Sequence, residues 1–168
     1  MALEIYLEGT LNGEDLAETE NATATPTCGG DDVSAMVECL SLSTGIETPT
    51  QHGGFHQAGR HVCQPVQITF RGTGKTWPQW LKGCDRNEEF AGTFHIYRNN
   101  LTEGNTEKCG TIVLERSRVT GVSYESPSTI GSDTAGCPIL IHVSIAYHTM
   151  TWTAEDGTEH IVSWAENA

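Results

Sequence analysis

From Ile139 to Tyr147 the chain repeats with a strict period of two, so that Ile139, Ile141, Val143, Ile145 and Tyr147 share one face. That period belongs to a half-buried strand and is incompatible with the 3.6-residue repeat of a helix. It recurs along the chain. Leu3, Ile5 and Leu7 alternate with Glu4, Tyr6 and Glu8, and between Ser34 and Ile46 the residues Met36, Leu40 and Leu42 oppose Ala35, Val37 and Cys39. Val62, Val66, Ile68 and Phe70 share a face, as do Phe90, Phe94 and Ile96 within Glu89–Arg98. Lys108–Glu125, Pro138–Thr153 and Thr158–Trp164 complete the β-rich runs. A chain of 168 residues holds one domain of this kind and leaves little room for a second.

A helix is expected at Thr76–Cys84, where Thr76 is the N-cap candidate, Pro78 suits the first turn and Gly83 is a possible end. Trp77, Trp80 and Leu81 fall at i, i+3 and i+4 and predict one apolar face. Two polar, glycine-containing stretches read as loops: Thr10–Asp32, and Glu47–Arg60 with its His52-Gly53-Gly54 step. Several strands plus one short helix make the chain mainly β, a barrel or sandwich with a helix closing one side.

Charge is segregated along the sequence. The total is −13, yet residues 1–59 hold ten acids and no Lys or Arg, and residues 119–168 hold six acids and no base. All nine basic residues fall between Arg60 and Arg118. So acidic a chain repels a phosphate backbone, which excludes nucleic acid as an expected partner. No apolar run is long enough to span a membrane, and no secretory signal peptide is evident at MALEIYLEG. Opposed acidic and basic surfaces suit head-to-tail contacts between copies of the chain, which close into rings or extend into filaments.

Few residues invite chemistry. The Gly72-Thr73-Gly74-Lys75-Thr76 turn lacks the leading glycine of a phosphate-binding loop, whose place is taken by Thr69. His52, His56, His61 and Cys63 are close in sequence, but their spacing matches no standard zinc set, so no metal or other cofactor is expected. No nucleophile elbow or HExxH motif is present, and no catalytic residue is assigned. Of six cysteines, Cys28, Cys109 and Cys137 lie beside Gly or Pro, which makes them the disulfide candidates, with the connectivity open.

Several segments together resemble the haemolysin-coregulated proteins (Hcp), tube subunits of type VI secretion systems and relatives of phage tail-tube proteins. They are MALEIYLEG, VECLSLSTGI, GRHVCQPVQITFRGTGKTWPQWLKGC, EEFAGTFHIYRN, GTIVLERSRVTGVSYES and ILIHVSIAYHTMTWT. The resemblance runs over nearly the whole chain, 1–168, and implies a compact two-sheet β-barrel flanked by one helix. It implies a non-enzymatic subunit whose hexameric rings stack into a hollow tube. Such a tube is assembled in the cytoplasm, expelled without a signal peptide, and carries effectors in its lumen. Sheath, spike and effector proteins would be partners, and no membrane insertion is implied. No toxin domain is expected after Ala168, so effectors would be held non-covalently.

In the family the loop between the second and third strands reaches the adjoining ring. Here that loop is 48–60. The contact candidates are Thr48, His52, Gly53, Gly54, Phe55, His56 and Arg60, joined by Arg71 and Lys75. Arg60, Arg71, Lys75 and Lys82 would face Glu14, Asp15, Asp31 and Asp32 of the next copy. Two features depart from the family: the long Asn12–Asp32 insertion, and six cysteines, which could cross-link subunits after release. Two rival readings remain. One is a monomeric β-sandwich binding carbohydrate through Trp152 and Trp164; the other is a metal-dependent hydrolase using His52, His56 and His61.

Overall fold

The computed structural model describes residues 3–16, 27–50, 61–72, 76–131, 133 and 136–164. Within them lie thirteen strands and one helix. In chain order these are β1 (Leu3–Leu11), β2 (Glu14–Asp15), β3 (Thr27–Cys28), β4 (Asp31–Asp32), β5 (Val37–Ser43), β6 (Ile46–Glu47) and β7 (Val62–Cys63). There follow β8 (Val66–Arg71), α1 (Thr76–Asp85), β9 (Glu89–Asn99), β10 (Thr106–Glu125), β11 (Leu140–Ala146), β12 (Thr149–Ala154) and β13 (Glu159–Ser163).

Strand pairing runs β11–β8–β5–β1–β9–β10, and β10 pairs again with β11 to close a ring. Closure gives each ring strand a partner on both sides. The long β10 serves two partners end to end: Gly110–Glu115 against β12 and Arg118–Glu125 against β11. A register shift between Leu114 and Ser117, with Arg116 at φ 50°, bends β10 where its partner passes through Tyr147 and His148. The single run expected over Pro138–Thr153 is therefore two strands. β13 pairs with β12 beyond the ring and ends the sheet.

The expected alternation holds where pairing is regular. Ile141, Val143 and Ile145 are buried, as are Val66, Ile68 and Phe70 opposite them. Two expectations are corrected. Val62 is 55% exposed, because the chain leaves the ring at Gln64-Pro65 and places Val62 in a separate β6–β7 hairpin. In β5 the buried residues are Val37 and Cys39, while Leu40 is exposed. A bulge between Cys39 and Ser41 changes the parity, so that Leu42 rejoins Cys39 on the core side, opposite Ile68 and Phe70.

The helix forms as expected and closes one end of the ring. Trp80 is fully buried; it stacks on Phe70 at 5.2 Å and tilts against Phe90 at 5.6 Å, while Trp77 meets Tyr124 at 5.8 Å. Leu81, expected on that face, is 45% exposed. Its place is taken by Gly83, where a Cβ would meet Leu11 side-chain atoms at 3.1–3.2 Å. Gly83 is thus a close-packing position and not the helix end. The helix ends instead at Asp85 and is capped by Asn87, whose φ is 52°, with Glu88 N–H donating to Gly83 O and Asn87 N–H to Cys84 O.

The stretch expected as one loop over Thr10–Asp32 contains three short strands. β2 pairs with the end of β1, and β3 and β4 form their own hairpin. Gly29 and Gly30, at φ 56° and 88°, make the two-residue turn that needs positive φ at both positions. The hairpin lies against Tyr6 and Tyr97, building a second buried cluster of Tyr6, Cys28, Val33, Met36 and Tyr97. The cluster is on the outer face of β1 and β9, because Leu7 and Phe94, one position and three positions along the same strands, point into the ring core.

Candidate self-association surface

Of the contact candidates from sequence, the structure places two. Thr48 is exposed just past β6. Arg71 is exposed at the end of β8, opposite Leu140. His52, Gly53, Gly54, Phe55, His56, Arg60 and Lys75 lie outside the described residues. The hairpin that carries the 48–60 loop is braced at its root, where Gln64 N–H donates to Gly45 O at 2.9 Å and Gln64 Nε2 to Glu47 Oε1 at 2.6 Å. Among the described residues β6 and β7 pair only with each other, in a two-stranded sheet separate from the ring.

The disulfide expectation is corrected within the chain. All six cysteines are free thiols. Cys28 is buried in the outer cluster, where its Sγ donates to Glu4 Oε2 at 3.2 Å, and burial pushes its thiol up to about 12. Cys109 Sγ donates to Ile96 O at 3.4 Å, and Cys137 is exposed. Proximity to Gly or Pro marked these residues in the sequence, but position along a chain does not bring two Cβ atoms within bonding range.

Ion pairs within the chain account for part of the charge pattern. Lys82 meets Glu14 at 3.4 Å and Glu88 at 3.7 Å, and Lys108 meets Asp31 at 3.3 Å. Arg98 bridges Glu107 and Glu155 at 2.9 and 2.8 Å. Lys82, Glu14 and Asp31, expected to face another copy, thus already have partners in their own chain. Arg71, Arg86 and Arg116 make no ion pair among the described residues. All three are exposed.

The end of the sheet away from the helix is open and partly apolar. Trp152 is 44% exposed although its register partner Ile112 is buried. With Ile96, Cys109, Ile112, Ala154 and His160 it lines a recess of about 340 Å³. On the other face of the adjoining strand β13, Ile161 is 56% exposed. Among the described residues no strand pairs with the outer side of β13. Sequence reading found this strand but not its position as a free edge; an isoleucine between His160 and Val162 in a terminal strand was the available signal.

Chemical alternatives have less support. Among the described residues no cluster of three or more His, Cys, Asp or Glu side chains could hold a metal ion, and two of the three loop histidines lie outside them. Thr69 Oγ1 lies 3.0 Å from His142 Nδ1, and His142 Nε2 lies 3.0 Å from Glu125 Oε2. These contacts follow from pairing of β8, β11 and β10 on their outward faces, and they clip three strands together. Trp164 packs edge-on against Tyr147 at 5.4 Å, so it is not presented jointly with Trp152 as a sugar platform.

No protein-family model matches the sequence, and no curated protein matches it. Solved structures do. The chain is similar to a protein described as Hcp, with a TM-score of 0.79 at 18% identity, covering 97% of this chain and 98% of that one. It is similar to Hcp1 from E. coli EAEC 042, with a TM-score of 0.73 at 16% identity and coverage of 98% and 99%. It is also similar to the secreted protein Hcp3 from Pseudomonas aeruginosa, with a TM-score of 0.72 at 20% identity and coverage of 97% and 99%. The Hcp resemblance read from the sequence therefore holds at the level of the fold, over the full length of both chains.

Proposed function

We propose that this chain is a non-enzymatic structural subunit that self-associates into hexameric rings, which stack into a secreted tube of a type VI-like injection system and carry effectors in the lumen. The observation that carries the reading is the end-to-end match to Hcp structures, one of them described as a secreted protein. The surface supports it. Among the described residues β13 has no strand on its outer side, with half-exposed Trp152 and Ile161 beside it. An edge with exposed apolar residues and no lysine or proline guard is a template for another chain. On this reading the 48–60 segment that joins β6 to β7 reaches a neighbouring ring, and Arg71 meets acids of the next copy.

Light-scattering mass against protein concentration tests the reading, with Ile161→Lys as the control. The native chain is expected to give a multiple of the subunit mass, and the lysine on the free edge is expected to return it towards monomer. Monomers at every concentration would contradict it.

A further inference from the structure

The β3–β4 hairpin is fastened to the outer face of β1 and β9 by a small set of contacts that differs in kind from the ring core. Asp31 is at their centre. Tyr97 Oη donates to its Oδ2 at 2.7 Å, and Lys108 Nζ reaches the same oxygen at 3.3 Å while lying 5.9 Å above the Tyr97 ring. Gly29 rests on that ring so closely that a Cβ would be 2.9 Å from Tyr97 Cδ1. On the other side, Cys28 Sγ and Tyr6 Oη both donate to Glu4 Oε2, at 3.2 and 3.3 Å. Beneath these bonds Tyr6 and Tyr97 meet edge to face at 5.9 Å and are almost entirely buried.

β3 and β4 are two residues each and pair only with each other, so no ladder bond ties them to the ring. A two-stranded ribbon of this size has no independent stability. Its docking depends on covering Tyr6 and Tyr97 and on the charge of Asp31. We propose that the hairpin is a charge-clasped strap, which opens locally while the ring stays closed when Asp31 loses its negative charge, uncovering the Tyr6–Tyr97 patch. This goes beyond the tube reading and does not depend on it.

The groups around the clasp fix the direction of the switch. Asp31 is faced by Tyr97 and His95 of β9 and by Lys108 of β10. Glu4 and Tyr6 of β1 and Cys28 of β3 surround the same patch, with Glu8 on His95 and Glu38 of β5 near Tyr6. With Asp31 ionised, one acid answers one lysine and accepts from one phenol. Once it is neutral, Lys108 loses its counter-charge and the Tyr97 hydroxyl loses a charged acceptor. His95 has a buried Nδ1 without a partner, beside Lys108, and only Glu8 at 3.3 Å answers its other nitrogen, so protonating it adds a second cation at the clasp just as Asp31 loses its charge.

Amide hydrogen exchange read by mass spectrometry on the full chain tests the strap. At neutral pH, Asp31→Asn is expected to lower protection of residues 28–33 about tenfold, the loss of one charge-assisted hydrogen bond, with β9 and β10 unchanged. Lys108→Met, at a half-exposed site, is expected to shift the same residues in the same direction. Acidifying the native chain from about pH 7 to about pH 2, through the depressed range of Asp31, is expected to open the strap before the ring, after correction for intrinsic exchange rates. Strap and ring losing protection together, or a strap indifferent to both substitutions and to acid, would overturn the proposal.

Discussion

The ring interior and the outer tyrosine cluster are both buried, yet they are held by different physics. Inside the ring, Trp80, Phe70, Phe90, Phe94 and Ile141 pack among strands that are hydrogen-bonded on both sides. Their stability comes from area removed from water and from close packing, neither of which depends on pH. Outside, Tyr6, Cys28, Val33, Met36 and Tyr97 are covered by one short hairpin, and each polar atom there leans on a carboxylate, Glu4 or Asp31. The comparison teaches that burial alone does not rank robustness. A buried tyrosine under a strap is as dry as one in a core, but its cover can leave without the fold leaving.

The largest effect should come from the ring. Trp80→Ala removes the side chain that joins helix to sheet through Phe70 and Phe90, and a loss of about 3–5 kcal/mol in global stability is expected by denaturant titration. A smaller loss would mean that the helix is a dispensable cover. Next comes Gly29→Ala, which puts a Cβ into the Tyr97 ring at a left-handed φ. It should cost about 1–2 kcal/mol, seen as lost exchange protection at the strap with little change in the ring. Equal loss in both regions would erase the distinction between them.

Tyr97→Phe keeps the ring contact and removes only the hydroxyl that donates to Asp31. About 1 kcal/mol is expected after allowing for the half-exposed carboxylate, again read at the strap. The pH dependence should follow the same boundary. The Tyr97 hydrogen bond, with Lys108 beside it, holds the Asp31 carboxyl below its ordinary value of 3.8. The stability it contributes is therefore complete above that value and is lost as pH falls through the lower folded one. Burial, and secondarily Lys108, also pushes His95 below its ordinary 6.5, so acid begins to weaken this region below that pH, ahead of Asp31. Thermal melts between about pH 7 and about pH 5 should show a modest loss that His95→Gln removes. The smallest effect is Glu14→Ala, which removes only the exposed partner of Lys82, and about 0.5 kcal/mol or less is expected.

The sequence was informative where pairing was regular. Period-two runs located the ring strands, and the Trp77–Trp80 spacing located the helix, because one buried face leaves a direct imprint on composition. It was misleading wherever the backbone changed parity. The bulge at Cys39–Ser41 moved Leu40 outwards, the bend at Tyr147–His148 split one run into two, and Gly83 displaced Leu81 from the packed face. Ring closure and the free edge of β13 are non-local pairings without any local signature. The strap was hidden for a related reason: its strands are too short to show a period, and only Gly29-Gly30 marked its turn. The self-association surface was legible as a charge pattern but not as a place, since the lysine and acids named for it include pairs already made within the chain.

The central claim is assembly, and negative-stain electron microscopy of the purified native chain tests it most directly, with Arg71→Glu/Lys75→Glu beside it. Closed rings and stacked hollow filaments are predicted for the native protein, with stacking weakened and rings kept in the charge-reversed variant. Uniform monomers across protein concentrations, or stacking untouched by the reversal, would contradict the account: the first removes the tube, the second removes these cations from its joints.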